Sequence, residues 1–151
     1  MKYLQWAAAA FLVFFLQGRI SVLDITPDLT AVLAFCAGIR HGETRGLFAG
    51  MVIGGLQDSM SLSIIGPNLL GKGMVGYFSS SFLSGGILRW TPVLGIVAVS
   101  LLTLVDNAVV YFARGLFDKI PASLSTALFV SVMQAILNAP AGLCIRPPHA
   151  D

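Results

Sequence analysis

Two stretches late in the chain, Pro92 to Phe112 and Ser123 to Ile145, contain a single charged residue between them, Asp106. Each is about as long as a helix must be to cross roughly 30 Å of hydrocarbon. Four further apolar segments precede them, and the polar links are short. Lipid offers backbone groups no hydrogen bonds, so such segments must be helices or the strands of a closed barrel. The period-two alternation of a barrel is missing from the sequence. The expectation is an all-α integral membrane protein, a six-helix transmembrane bundle forming one domain over residues 1–151. Its helices are placed at about 3–23, 26–39, 46–57, 69–88, 92–112 and 123–145. The second and third are short at these lengths, which predicts tilting, re-entrance or cover by neighbours.

Composition supports the bilayer as solvent. Of 151 residues 56% are hydrophobic and only 11% charged, too few charges to clothe a soluble domain. The net charge of +2, with no basic block, gives no footprint for nucleic acid. Lys2 and the apolar run after it resemble a signal peptide. Yet the alanines "AAAA" precede "FLVFFL" instead of following it, so the run reads as a retained first helix. Cys36 and Cys144 lie in separate apolar segments and read as small buried residues. The loop charges divide almost evenly. Lys2, Arg40, Arg45, Arg89 and Arg146 fall on one side, and Arg19, Lys72, Arg114 and Lys119 on the other. The compact Arg40/Arg45 loop favours cytoplasmic termini.

The polar residues within the apolar runs are the candidates for function. Pro27 suits a first helical turn, and Asp28 favours the positive end of the second helix's dipole. Gly46, Gly50 and Gly54 share one face of the third helix and permit close approach of a neighbour, either within the chain or from a partner. Asp58 closes that helix. An ion pair with Lys72, or hydrogen bonds from the backbone of the 59–66 loop, would offset the cost of its charge in the membrane; a proton or ligand site and a partner contact are the alternatives. Gly66-Pro67 ends the irregular stretch, and Asn68 reads as the N-cap of a fourth helix starting at Leu69 and stopping at Arg89. Gly71, Gly73 and Gly76 offer a second small-residue face. Asp106, followed by Asn107, is the most deeply placed acid. No basic residue lies at comparable depth in the sequence, so it reads as a hydrogen-bonded packing residue, in charged or protonated form, with a proton-carrying role as the alternative. Gln134 and Asn138, four apart, share a face and should bond across helices.

Catalytic patterns are missing from the sequence. His41 and His149 lie in a loop and the tail, away from any intramembrane acid. There is no phosphate-binding loop, paired CxxC, HExxH or nucleophile elbow. The reading is a non-enzyme without cofactor or metal.

The ordered set Pro27-Asp28-Leu29, Arg40–Arg45, Gly46/Gly50/Gly54, Gly55-Leu56-Gln57-Asp58, Gly66 and Tyr77 resembles the bacterial rod shape-determining protein MreD family. Asn138 in "VMQAILNAPAGL" is similar to the family's last helix. Ile65-Gly66 stands where members usually have Leu-Gly, and Pro67 and Lys72 depart from the pattern. The resemblance implies an inner-membrane scaffold of cell elongation with no known catalytic activity. It implies an MreC-like bitopic partner and, through it, MreB and the peptidoglycan transglycosylase–transpeptidase pair. The implied fold resembles the substrate-binding subunits of energy-coupling-factor vitamin transporters. That leaves one rival reading, a small-ligand binding subunit with a pocket near the outer face.

Overall fold

The computed structural model describes residues 2–22, 24–61, 64–84, 90–117 and 123–145. These fold into helices α1 (Lys2–Gln17), α2 (Leu29–His41), α3 (Glu43–Met60), α4 (Pro67–Ser84), α5 (Pro92–Phe117), α6 (Leu124–Asn138) and the one-turn α7 (Ala141–Cys144). Among the described residues there is no strand, only an isolated pairing of Val22 with Ile25. By length and composition α5 and the 124–144 stretch are apolar enough to cross a membrane, with mean hydropathies of 2.2 and 1.6.

Several helix ends differ from the sequence expectation, each for a local reason. Pro27 precedes α2 instead of opening it, because Asp28 takes the N-cap and accepts the Ala31 N–H. The loop expected at Arg40–Arg45 is Gly42 alone, at φ 87°, a left-handed conformation that glycine adopts without steric cost; Arg40 and His41 end α2 and Arg45 lies in α3. α4 starts at Pro67, whose missing N–H would be unpaired in a first turn anyway. α5 runs a full turn beyond Phe112. The last apolar stretch divides at Ala139-Pro140, since proline cannot donate to the preceding turn. Arg89, the expected stop of the fourth helix, lies outside the described residues, as do Lys119, Arg146 and His149.

The core is built mainly from α2 and α5, with single residues from α3 and α4 and from the end of α7. Leu33, Ala34, Phe35, Ile39, Ile53, Val75, Ala98, Val99, Leu102 and Ile145 cluster there, with Phe14, Cys36 and Trp90 packed at its edge. Cys36 is only half-buried and Cys144 is exposed, against the expectation of two buried residues; both are free thiols. Large side chains point outward in helical steps, as with Phe48, Val52, Leu56 and Met60 along α3 and Leu124, Leu128, Val132 and Ile136 along α6. Apolar side chains outside and polar ones inside reverse the pattern of a water-soluble bundle.

The most extensive contact joins α3 to α4, and glycine makes it possible. A Cβ on Gly46, Gly50 or Gly54 would overlap the carbonyl oxygen of Gly76, Lys72 or Asn68 respectively. Gly38 brings α2 to the same seam, where its Cβ would strike the Gly76 carbonyl and the Ser79 hydroxyl. Three backbones therefore meet without side chains between them. The Gly46/Gly50/Gly54 face is filled by α4, and so is closed to a partner helix. The second glycine set does not form one face. Gly73 and Gly76 turn toward α3, while Gly71 turns toward α5.

Candidate functional site: a buried lysine between two carboxylates

Lys72 sits one turn and a half into α4, fully buried. Its ammonium lies 2.6 Å from Asp28 Oδ2 and 2.7 Å from Asp106 Oδ2. Asn68 Oδ1, one helical turn back, is 3.4 Å away. Thus α2, α4 and α5 are tied together by three charges from distant parts of the sequence. The pairing of Lys72 with Asp58, one of the two sequence expectations, does not form. The expectation that Asp106 lacks a basic partner is also overturned. Lys72 looked peripheral because it lies near a helix start, but its four-carbon stem carries the charge inward to the α5 level.

Each acid has a distinct role. Asp28 caps α2. Its Oδ1 accepts the Ala31 N–H at 3.0 Å and the Thr30 hydroxyl at 2.5 Å. Thr30 Oγ1 also lies 2.7 Å from the Gln57 side-chain amide, which links α2 to the end of α3. Asp58 is the anchor of the corner between α3 and α4. Oδ2 accepts N–H groups from Gly66 at 2.8 Å and Leu69 at 3.1 Å. Oδ1 accepts the Asn68 N–H at 3.2 Å and its side-chain Nδ2 at 2.7 Å. These donors belong to the first turn of α4 and its approach, where N–H groups have no partner inside the helix. Asp58 therefore caps α4 from a different helix. Asn68, expected to be the cap, instead lies inside the first turn and bridges Asp58 to Lys72. Asp106 is the least supported: its Oδ2 accepts from Lys72, and no protein donor among the described residues reaches its Oδ1. That oxygen rests against Gly71, where a Cβ would collide with it.

A neutral polar layer extends the centre to α6. Asn138, fully buried, donates through Nδ2 to the Asp28 carbonyl at 3.0 Å and to Thr103 Oγ1 at 3.2 Å. Gln134 donates to the Thr26 carbonyl at 2.9 Å and accepts from Asn107 Nδ2 at 2.9 Å. The interhelical bonds expected of Gln134 and Asn138 are thus present. Sequence reasoning passed over Thr30, Gln57 and Thr103. A signal existed in their spacing, two from Asp28, one from Asp58 and three from Asp106, each within reach of a polar residue already singled out.

The arrangement closes on itself. The gap between Ala31, Phe35, Val99 and Thr103 is lined by apolar surface and is too small for a water molecule. Among the described residues no group of three His, Cys, Asp or Glu side chains is placed to hold a metal. The geometry can orient helices and hold charge away from lipid.

An apolar exterior, glycine-tight seams and an ionic centre are features shared with the class of helical membrane proteins, and two stretches are long and apolar enough to cross a membrane. The chain belongs to the family of the rod shape-determining protein MreD, whose family model matches residues 4–148. That is a membrane protein family of shape-determining structural components, not a known enzyme family. No curated protein and no solved structure matches the chain.

Proposed function

We propose that this protein is a non-enzymatic scaffold of the cell-elongation machinery in the bacterial inner membrane. It holds an MreC-like single-span partner, and through it MreB and the peptidoglycan-synthesising pair, so that lateral wall growth and rod shape are maintained. Membership of the shape-determining family over residues 4–148 carries this reading. The geometry supports it, since most of the buried polar groups bond to one another and the short links leave recognition to membrane-facing surfaces. With the glycine faces of α3 and α4 closed together, the partner docks on an outward apolar face. The six main helices cross the bilayer in alternating directions, as in the substrate-binding subunits of energy-coupling-factor transporters. Both termini are cytoplasmic, on the side of the Arg40/Arg45 loop.

Purification of the tagged chain from native membranes should bring an MreC-like protein with it, and depletion in a rod-shaped host should give rounded cells with misplaced wall synthesis. Intact rods on depletion, together with a new vitamin requirement, would reject the scaffold. Labelling of a cysteine at the exposed Thr44 by an impermeant reagent outside intact cells would reverse the orientation.

A further inference from the structure

We propose that the Asp28–Lys72–Asp106 centre is a proton-binding site, with the proton carried by the Asp106 carboxyl. The charge count comes first. Two carboxylates and one ammonium leave one negative charge in excess, and Asp106 and Lys72 are fully enclosed while Asp28 is 4% exposed. An uncompensated charge away from water is among the most costly groups a helix bundle can contain. A single proton removes it.

The donors decide which acid takes that proton. Hydrogen bonds given to a carboxylate favour its charged form. Asp58 receives four, from Gly66, Leu69 and twice from Asn68. Asp28 receives three, from Thr30, Ala31 and Lys72. Asp106 receives one, from Lys72, and its second oxygen is buried without a donor. The groups around Asp106 offer nothing more. α4 presents Lys72 and the bare backbone of Gly71, and α2 presents Asp28 across the ammonium. α5 itself adds Val110, close to Gly71 as the carboxylate is. α6 adds the neutral Asn138, bonded to Thr103 one turn away. Asp58 on α3 is separated from Lys72 by Asn68.

Uptake adds one proton to one carboxylate, with no other bond made or broken. Release returns a net negative charge to the point where α2, α4 and α5 meet, and so weakens that junction. The site is independent of the scaffold reading: it concerns the folded chain alone, with or without a partner.

The test uses the full chain in detergent and infrared spectroscopy. At neutral pH the spectrum should contain the carbonyl stretch of one neutral carboxylic acid per chain. Asp106→Asn should abolish it and Asp58→Asn should leave it in place, while Asp28→Asn, which removes the excess charge, should move its loss to lower pH. If Asp106→Asn does not fold, a band that Asp58→Asn keeps and Asp28→Asn moves to lower pH, with a downshift on ¹³C-labelling of aspartate, assigns it to Asp106, the other acid of the centre. Raising the pH should remove the band and lower the unfolding midpoint of the parent more steeply than that of Asp106→Asn, because the proton is bound by the folded form. A folded parent with no such band at neutral pH, a band that survives Asp106→Asn, or equal pH slopes would overturn the proposal.

Discussion

Gly50→Ala, a change of one methyl group, probes the seam on which the fold depends. The new Cβ would overlap the Lys72 carbonyl oxygen and lie 2.7 Å from the Lys72 carbonyl carbon and 3.1 Å from Gly73 Cα. Carbon atoms rest at about 3.5–4.0 Å, so α3 and α4 must separate by roughly 1 Å. These neighbours are backbone and cannot swing aside. A gap of that size forfeits about a quarter to a half of each contact's attraction along the seam. Overpacking of this kind costs about 1–3 kcal/mol. Alanine's better helix propensity returns about 1 kcal/mol, which leaves a net loss of up to about 2 kcal/mol. Gly55 on the same helix is the matched control. Its Cβ would meet only the tip of Leu69, Cδ1 at 3.6 Å, an ordinary contact. Gly55→Ala should therefore be neutral or stabilise by up to about 1 kcal/mol. Thermal unfolding in detergent, followed by circular dichroism, separates the two variants. Equal midpoints for Gly50→Ala and Gly55→Ala would refute a backbone-to-backbone seam.

Three other changes test the polar centre by the same unfolding measurement. Lys72→Met leaves the Asp28 and Asp106 carboxyl groups buried without their cation and should cost about 3–5 kcal/mol. Adding Asp106→Leu to it should recover much of that loss, and a double variant no better than the single would contradict the charge argument. Asp58→Asn should fall between the parent and Asp58→Leu. All four donors point at carboxylate oxygens, so an amide oxygen keeps two of these bonds and its NH₂ opposes the others. Asn as damaging as Leu would mean that the charge, more than the capping geometry, holds the corner. Asn138→Ala should release α6 from the 26–28 segment and α5, at a cost of about 1–2 kcal/mol. An unchanged midpoint would show that this polar layer adds nothing to stability.

How much could be read in advance depends on the range over which each interaction acts. Apolar length and period act locally. The helices, their order and the absence of sheet among the described residues followed from the sequence alone, because a segment in lipid has almost no other way to satisfy its backbone. The glycine spacing at 46, 50 and 54 likewise announced a close approach, and Gln134 and Asn138 announced bonds across helices. Partners lay beyond that local range. Which backbone the glycines meet, that Gly71 faces α5 while Gly73 and Gly76 face α3, and that Asp58 caps α4 are set by how the helices are rotated and staggered. Lys72 is the clearest case. In sequence it is nearest to Asp58, and proximity favoured that pair. In the fold it joins Asp28, 44 residues before it, to Asp106, 34 residues after it. Asn68 stands between Lys72 and Asp58, and the four N–H donors already satisfy Asp58. The sequence determined that charges would have to be hidden inside a bundle of helices. Tertiary packing decided which charges meet, because only the assembled bundle brings three separate helices to the same depth.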